Sequence, residues 1–240
     1  MQPNYDEAYV AHLFDEMGPS YAVMNLVSSL GFSEIWRAQC VAGMPIAAGA
    51  VVADLMAGSG ECWPYLQRRI QPRGRIVAVD ISPVMCRRQQ DRARRLAGAP
   101  VQIHCENALA LSLPAASVDF VVSAFGLKTF KDRQLAQLAQ EIFRVLRPGG
   151  GGSLIEISLP ENSLLRLPYR FYINQVIPWL GRILLKDLEC YKMLGVYTEA
   201  FGSCRAALRH FQDAGFEEVL LKQHFFGCAT SLVLKKAPAA

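Results

Sequence analysis

Short apolar runs alternate with longer amphipathic runs along the middle of the chain. Five mainly apolar, β-branched runs are predicted to be strands: residues 50–56, 75–81, 101–105, 118–125 and 152–158. Three amphipathic segments between them are predicted to be helices: residues 62–70, 84–96 and 132–146. Continuous apolar strands joined through helices are typical of a parallel sheet that is covered on both faces.

The two ends of the chain have a different pattern. Helical periodicity predicts helices at residues 9–17, 21–30 and 33–41, with Ser20 and Ser33 as N-caps, and further helices at residues 167–185 and 203–214. The last two apolar runs, residues 217–222 and 230–235, suit an antiparallel hairpin.

Together these elements predict an α/β fold with a Rossmann-like, doubly wound, mostly parallel seven-stranded sheet and a C-terminal antiparallel hairpin. At 240 residues the chain is expected to form one domain. Residues 1–49 would be a helical cap, residues 50–160 a cofactor-binding core, and residues 161–240 the substrate-side helices and hairpin. Because open α/β sheets bind ligands beyond the carboxyl ends of their strands, the flanking helices are well placed to form a lid.

Composition narrows the class of protein. A net charge of +4 is small for this length, so a dedicated nucleic-acid binder is not indicated. The basic run at residues 87–95 favours a solvated helix face over a phosphate-contacting patch. The seven cysteines are scattered without a CxxC pair, which argues against disulfides and a structural zinc site. We expect a cytoplasmic protein without a transmembrane segment or a metal, for which loose membrane contact and a homo-oligomer remain open.

The candidate chemistry begins in the stretch VADLMAGSGE, residues 52–61, where a turn follows a buried strand. Gly58 and Gly60 permit close backbone approach to a ligand, although a purely structural turn would use them equally well. Asp80 ends the next strand twenty residues beyond Gly60, at the distance where an acidic side chain accepts hydrogen bonds from a ribose. The structural alternative for Asp80 is the N-cap of the helix that opens at Pro83.

The candidate cofactors differ in whether they contain phosphate, and the sequence lacks phosphate-binding motifs. The chain lacks a GxxxxGK[ST] loop, and no third glycine follows Gly60 in the dinucleotide register. Glu61, in the first helical turn, would repel a pyrophosphate. S-adenosylmethionine has no phosphate and carries a cationic amino group and a sulfonium, which suit the carboxylates of Asp54 and Glu61. Met56 stands at the place of a first glycine, and we expect its side chain to point away from the methionine part of this cofactor.

Several motifs in order resemble one family. FDEMGPSYAVMN at residues 14–25, DLMAGSGE at 54–61, the segment HCENALALSLPAASVDFVVSAFGLKTF at 104–130 and EIFRVLRPGG at 141–150 are similar to those of the ubiquinone/menaquinone biosynthesis C-methyltransferases. VIPWLGRIL, CYKML and DAGF continue the similarity towards the C-terminus. The chain therefore resembles a class I S-adenosylmethionine-dependent methyltransferase over nearly its whole length.

The resemblance implies a set of site residues. Gly58, Ser59 and Gly60 would line the cofactor, Asp80 would hold the ribose, and Asn107 and Ala108 would meet the adenine. The full predicted cofactor set is Asp54, Gly58, Ser59, Gly60, Asp80, Ile81, Met85, Asn107, Ala108 and Ala124. Met85 would pack on the adenine, or would be a core methionine. The reaction would yield S-adenosylhomocysteine and a methylated small, apolar aromatic molecule, a quinone precursor or specialised metabolite, by C-methylation in preference to O- or N-methylation.

Some polar positions of the family pattern are changed here. Ala22 replaces an aspartate, Ala124 a serine, and Lys128 and Thr129 an arginine and an asparagine. Tyr21 is the first candidate for a proton-handling catalytic residue and Lys128 the second; His12, His210 and Tyr191 are further candidates. The changes favour one alternative, a non-methylating member that keeps its cofactor in a biosynthetic complex. A second alternative, a nucleic-acid methyltransferase, rests on the basic run at residues 87–95.

Overall fold

Seven strands form one sheet in a computed structural model of the chain, which describes residues 2–18, 21–185 and 189–239, without the side chains of residues 21, 22, 183–185 and 189–191. The strands are β1 Val51–Leu55, β2 Arg75–Asp80, β3 Val101–Cys105, β4 Val118–Ala124, β5 Leu146–Ile157, β6 Glu218–His224 and β7 Ala229–Lys235. Their spatial order is β3-β2-β1-β4-β5-β7-β6. The first five run parallel and β7 is antiparallel to both neighbours, which confirms the predicted fold class.

The described residues also form ten α-helices. They are α1 Glu7–Met17, α2 Tyr21–Ser28, α3 Phe32–Ala42, α4 Trp63–Ile70, α5 Pro83–Arg95, α6 Asp132–Val145, α7 Ser163–Phe171, α8 Ile177–Leu185, α9 Glu189–Phe201 and α10 Arg205–Asp213. A π-helical turn, Tyr172–Val176, joins α7 to α8, and short 3₁₀ turns lie at Leu127–Thr129 and Phe225–Gly227. No helix in these ranges is long and apolar enough to cross a membrane.

Local chemistry sets several helix starts. The side chain of Asp6 caps α1 by accepting from the backbone N–H groups of Ala8 and Tyr9, and Asn162 caps α7 by accepting from Leu164. The prediction of Ser33 as an N-cap is wrong: α3 begins at Phe32, and Ser33 lies inside the helix with its hydroxyl donating to the carbonyl of Asn25 at 3.2 Å. Ser20 lies outside the described residues.

Both faces of the sheet are covered, and alternate residues of one strand serve the two faces. Ala53 and Leu55 of β1 belong to the cluster completed by α6 and α10, whereas Val52 faces the cluster completed by α4 and the end of α3. The continuous apolar runs of the sequence follow from this burial on both sides.

Two elements differ from the sequence expectation. Strand β5 begins at Leu146, six residues before the predicted start, because the Arg147–Gly150 segment continues the strand through an irregularity in its pairing with β4. Helix α9 is an additional helix that was not predicted, although Met193, Tyr197 and Phe201 are buried along it at four-residue spacing.

Candidate functional site

The turn after β1 lies at the carboxyl edge of the sheet and takes conformations that favour glycine. Gly58 and Gly60 have φ values of 58° and 85°. A Cβ placed on Gly60 would lie 2.6 Å from the indole ring of Trp63, so the turn and the start of α4 pack too closely for any side chain there. The glycines therefore shape the turn that brings backbone N–H groups to the end of β2.

Asp80 ties this turn to β2. Its Oδ2 accepts from the backbone N–H of Gly58 at 2.8 Å and its Oδ1 from that of Ser82 at 3.0 Å. Burial raises the pKa of Asp80 to about 7, against the lowering effect of these two hydrogen bonds. Asp80 is not the N-cap of α5; Ser82 is, since its hydroxyl accepts from the N–H of Met85 at 3.0 Å.

A pair of carboxylates, Asp54 and Glu61, lies beside the turn. Asp54 is 1% exposed and Glu61 is 8% exposed, and both line a small recess together with Arg37 and Ala124. Glu61 accepts from the N–H of Ser59 at 3.2 Å and from its hydroxyl. Oδ2 of Asp54 is buried, and no described residue meets it in hydrogen-bonding geometry.

Electrostatics in this recess favour a cation. Burial raises the pKa of Asp54 well above its usual range and the nearby Glu61 raises it further, whereas the indole of Trp63 and the guanidinium of Arg37 lower it. A buried carboxylate without a full set of partners is costly. A ligand cation placed here would therefore pair with the Asp54 carboxylate, which the described residues leave without a full set of hydrogen bonds.

A cavity of about 660 Å³ opens above these groups. Five of the predicted cofactor residues line it: Gly58, Asp80, Ile81, Asn107 and Ala108. Helix α1 and the residues before it close the cavity from the other side with Tyr5, Val10 and Phe14. The sequence analysis gave no role to this helix at the cofactor site, although its FDEM run belongs to the quoted motifs.

The other predicted cofactor residues lie elsewhere. Asp54 and Ala124 line the acidic recess, and Ser59 and Gly60 form the buried turn around it. Met85 is fully buried in a hydrophobic cluster with residues of α1 and α9, including Leu13 and Tyr197. This burial agrees with the second alternative given for Met85, a core methionine.

Met56 occupies a backbone conformation that usually favours glycine. Its φ is 51°, in the left-handed region where a glycine would be unstrained, and a Cβ on Gly126 would lie 2.6 Å from the Cβ of Met56. Met56 and Gly126 both line the cavity. The side chain thus crosses the face of Gly126 and forms part of the cavity wall. That it points away from the methionine part of the cofactor stays a prediction.

The polar side chains of the cavity and the recess suit a phosphate-free cationic nucleoside. The residues present fit this ligand: a carboxylate stands at the end of β2, an orphaned carboxylate oxygen and Glu61 lie in the recess, and apolar strand ends lie between them. Among the described residues, no arginine or lysine lines the 660 Å³ cavity to hold a pyrophosphate. S-adenosylmethionine is therefore the nucleoside cofactor that these side chains suit.

A second, larger cavity of about 1060 Å³ lies next to the first. Its walls are largely aromatic and come from the added helices and the β6–β7 link: Phe32, Trp36, Phe125, Tyr169, Tyr172 and Phe225. Phe125 lines both cavities. The 3₁₀ turn that follows it exposes Thr129 to the first cavity and Lys128 to the second, so one short segment separates the two spaces.

Lys128 is held by a buried ion pair. Its Nζ donates to Oε1 of Glu156 at 2.9 Å and to the carbonyl of Phe125 at 2.7 Å, and its backbone N–H donates to Oε2 of Glu156 at 3.0 Å. The two side chains are 3% and 0% exposed. Glu156 was missed by the sequence analysis, although a lone carboxylate inside the apolar strand GSLIEIS was a signal for it.

Asn25 was also missed. It lines the second cavity, and its Nδ2 is buried with no hydrogen-bond partner among the described residues. Asn25 is the last residue of the FDEMGPSYAVMN motif, which was the available signal. An unpartnered buried donor at the wall of an apolar cavity can hydrogen-bond an oxygen of a bound ligand.

The remaining catalytic candidates are less well placed. The side chains of Tyr21 and Tyr191 lie outside the described residues. His12 faces Glu16 at 3.2 Å on an exposed helix surface, and His210 contacts Asp132 at 2.8 Å. Neither histidine lines either cavity.

The basic run lies on α5, where Arg87, Arg94 and Arg95 are exposed. Arg94 pairs with Asp91 of the same helix at 3.3 Å. This arrangement agrees with a solvated helix face.

The sheet order and the cofactor cavity define a class I S-adenosylmethionine-dependent methyltransferase. The model of the ubiE/COQ5 methyltransferase family matches residues 2–236, and the chain belongs to that family. The protein is 32% identical to a demethylmenaquinone methyltransferase of Lactiplantibacillus plantarum over 92% of this chain and 93% of the relative. It is 29% identical to the ubiquinone/menaquinone biosynthesis C-methyltransferase UbiE of Pseudoalteromonas translucida over 90% of this chain and 85% of the relative.

Solved structures share the fold at low identity. Human N-acetylserotonin methyltransferase in complex with SAM aligns with a TM-score of 0.62 at 18% identity, covering 98% of this chain and 63% of that one. A SAM-dependent methyltransferase from Aquifex aeolicus aligns with a TM-score of 0.53 at 18% identity, covering 79% and 84%. At these identities the likeness concerns the fold alone.

Proposed function

We propose that this enzyme methylates a ring carbon of a small, largely apolar aromatic acceptor, a hydroxylated quinone precursor. The observation that carries the proposal is the pair of adjoining cavities that share Phe125, one lined for a cationic nucleoside and the other by aromatic side chains. The names of the relatives support the acceptor class, since one of them is a demethylmenaquinone methyltransferase.

In the first cavity Asp80 would accept hydrogen bonds from the ribose hydroxyls and Asn107 with Ala108 would contact the adenine. Asp54 and Glu61 would pair with the amino group of the methionine part. When bound, S-adenosylmethionine supplies an electrophilic methyl group, which the acceptor carbon takes with loss of its own ring proton, leaving S-adenosylhomocysteine. Because the cofactor brings this reactivity, the protein has mainly to bind, orient and exclude water.

In the second cavity the aromatic walls would hold the flat ring and keep water away. Nδ2 of Asn25 would donate to a ring oxygen. Lys128 has three N–H groups, of which two are used by Glu156 and Phe125, so a third remains for the hydroxyl oxygen of the acceptor. A nearby ammonium stabilises the ionised hydroxyl, and ionisation makes the ring carbon a better nucleophile. Lys128 would thus stabilise the negative charge of the ionised hydroxyl through a hydrogen bond. Tyr21 remains the candidate proton acceptor.

The test is a methyl-transfer assay with S-adenosylmethionine labelled with carbon-13 in its methyl group. The acceptors are a demethylated naphthoquinol with a short isoprenoid chain and its O-blocked ether. We expect a product from the free quinol whose labelled methyl is bonded to ring carbon by NMR, and none from the ether. A labelled methoxy group would contradict C-methylation. Tight cofactor binding without any product across a quinol and phenol panel would favour the non-methylating alternative.

A further inference from the structure

The helices that roof the second cavity present a band of large apolar side chains to solvent. Tyr169 and Ile177 point inward and line the cavity, while Leu164, Leu167 and Trp179 on the other side of the same helices are 81%, 70% and 57% exposed. Isolated exposed leucines are ordinary, but large contiguous apolar surfaces mark a binding face.

The π turn between α7 and α8 keeps this band on one side. Leu164, Leu167 and Phe171 are three and four residues apart, the spacing that aligns side chains on an α-helix. Trp179 follows Phe171 by eight residues, one more than two α-helical turns allow. A π turn accommodates about one extra residue, so Trp179 returns to the side of Phe171, which is 63% exposed.

The edges of the cavity opening carry the same kind of side chain on strained backbone. Leu30 and Phe225 line the cavity and yet are 78% and 51% exposed, and the neighbouring Phe226 is 74% exposed. All three have positive φ values, of 51°, 42° and 56°. Non-glycine residues pay for this conformation. Strained backbone that holds large apolar groups in water is doubly unfavourable for the isolated protein.

Positive charge accompanies the apolar band. Arg182 and Lys192 are exposed and line an open groove with Phe171 and Trp179. Neither cation forms an ion pair with a described side chain. Aromatic residues with adjacent lysine or arginine are the combination that lies at the boundary between lipid headgroups and acyl chains, where the cations meet anionic lipids.

We propose that this face binds the surface of an anionic lipid bilayer. We define the apolar rim as Leu30, Leu164, Leu167, Phe171, Trp179 and Phe226. The rim would enter the headgroup boundary, Arg182 and Lys192 would contact anionic headgroups, and the second cavity would open towards the lipid from which an apolar acceptor partitions. The choice of a bilayer over a protein partner rests on the two exposed cations beside Trp179, neither of which pairs with a described side chain. The entry route rests on the proposed function, but the binding itself does not.

The test measures vesicle binding without turnover. Of the three tryptophans, Trp36 and Trp63 are 5% and 0% exposed, so a change in tryptophan emission on binding reports Trp179. With vesicles of mixed phosphatidylglycerol and phosphatidylcholine we expect a blue shift and co-sedimentation, both weakened by salt and by phosphatidylcholine alone. The triple variant L164S/L167S/F226S should bind about a hundredfold more weakly. R182Q and K192Q should each cost about fivefold.

The matched control is L220S, which removes an exposed leucine from the edge strand β6 and should bind vesicles as the wild type does. Calorimetry with S-adenosylhomocysteine checks that every variant keeps its cofactor site. Unchanged vesicle binding by the triple variant, or no binding by the wild type, would overturn the proposal. So would a wild-type dimer that ignores vesicles and dissociates in the triple variant, because the rim would then cover a second copy of the chain. Failure of methylation alone would leave these readouts unaffected.

Discussion

The two cavities are built in different ways although they share Phe125. The first is made at the strand ends of the sheet, where buried carboxylates are oriented by backbone N–H groups of adjacent turns. The second is made by helices before and after the sheet, with aromatic walls and two polar positions, Asn25 and Lys128. A preorganised polar site suits one invariant ligand, whereas apolar walls can be altered residue by residue without disturbing the sheet. The comparison suggests that the cofactor and the acceptor are specified independently.

The largest effect on the cofactor cavity is expected from a substitution of Asp80. Asp80→Ala removes a buried carboxylate that would accept two ribose hydroxyls, and hydrogen bonds to a charged group contribute about 1.5–3 kcal/mol each. We expect S-adenosylmethionine affinity to fall by about a hundredfold or more, measured by calorimetry. Asp91→Ala, which removes an exposed carboxylate from α5, is the control and should bind normally. Equal affinity of the two variants would show that the ribose lies elsewhere.

The second test separates stability from turnover at Lys128. Lys128→Met leaves Glu156 charged, buried and unpaired, so the free energy of unfolding should fall by about 3–5 kcal/mol in a denaturant titration. Adding Glu156→Gln should restore much of that stability because the unpaired charge is gone. Methyl transfer should stay low in the double variant while cofactor affinity returns to normal. Full turnover in the double variant would show that Lys128 has only a structural role.

The same comparison explains what could be predicted from the sequence. Asp54 and Gly58 lie in β1 and the turn that follows it, and Asp80 ends the next strand, β2. Short-range spacing was therefore sufficient to predict that these residues lie close together. Glu156 and Asn25 are 131 positions apart in sequence, and only tertiary packing brings both to the segment around Lys128. Met85 was left with two alternatives because helical spacing from Asp80 does not tell which side of α5 faces the core. One continuous helix was predicted at residues 167–185, whereas the structure divides this segment into α7, a π turn and α8. The additional helix α9 was not predicted.

Replacing Asn25 should have a smaller effect, which raises stability and lowers activity. Asn25→Leu replaces an unpartnered buried donor with an apolar side chain of similar size, so the free protein should gain about 1 kcal/mol in unfolding free energy. The variant loses the donor to the acceptor oxygen, and kcat/KM for the quinol should fall by about tenfold. Val23→Ser, at an exposed position of the same helix, serves as the control. Loss of stability with unchanged kcat/KM would contradict the role given to Asn25.

The smallest expected effect is the pH dependence of cofactor binding. The folded-state pKa of Asp80, about 7, is above its unfolded value of 3.8, so its contribution to stability is present at acid pH and is lost as the pH rises through about 7. Ribose hydroxyls that donate to the carboxylate favour the charged form. The rise in Tm caused by S-adenosylhomocysteine should therefore be larger at about pH 8 than at about pH 6. A rise that is equal at both values, or that is equally pH-dependent in Asp80→Asn, would contradict this assignment.

The central claim is that the cofactor occupies the first cavity and delivers its methyl group across the Phe125 boundary into the second. A crystal structure with S-adenosylhomocysteine and a short-chain quinol tests it most directly. The account predicts ribose hydroxyls on Asp80, the amino group beside Asp54 and Glu61, and the sulfur facing a ring carbon of the quinol past Phe125, with a ring oxygen near Asn25 or Lys128. A nucleoside outside the first cavity, or a quinol ring that does not share the Phe125 boundary with the sulfur, would contradict it.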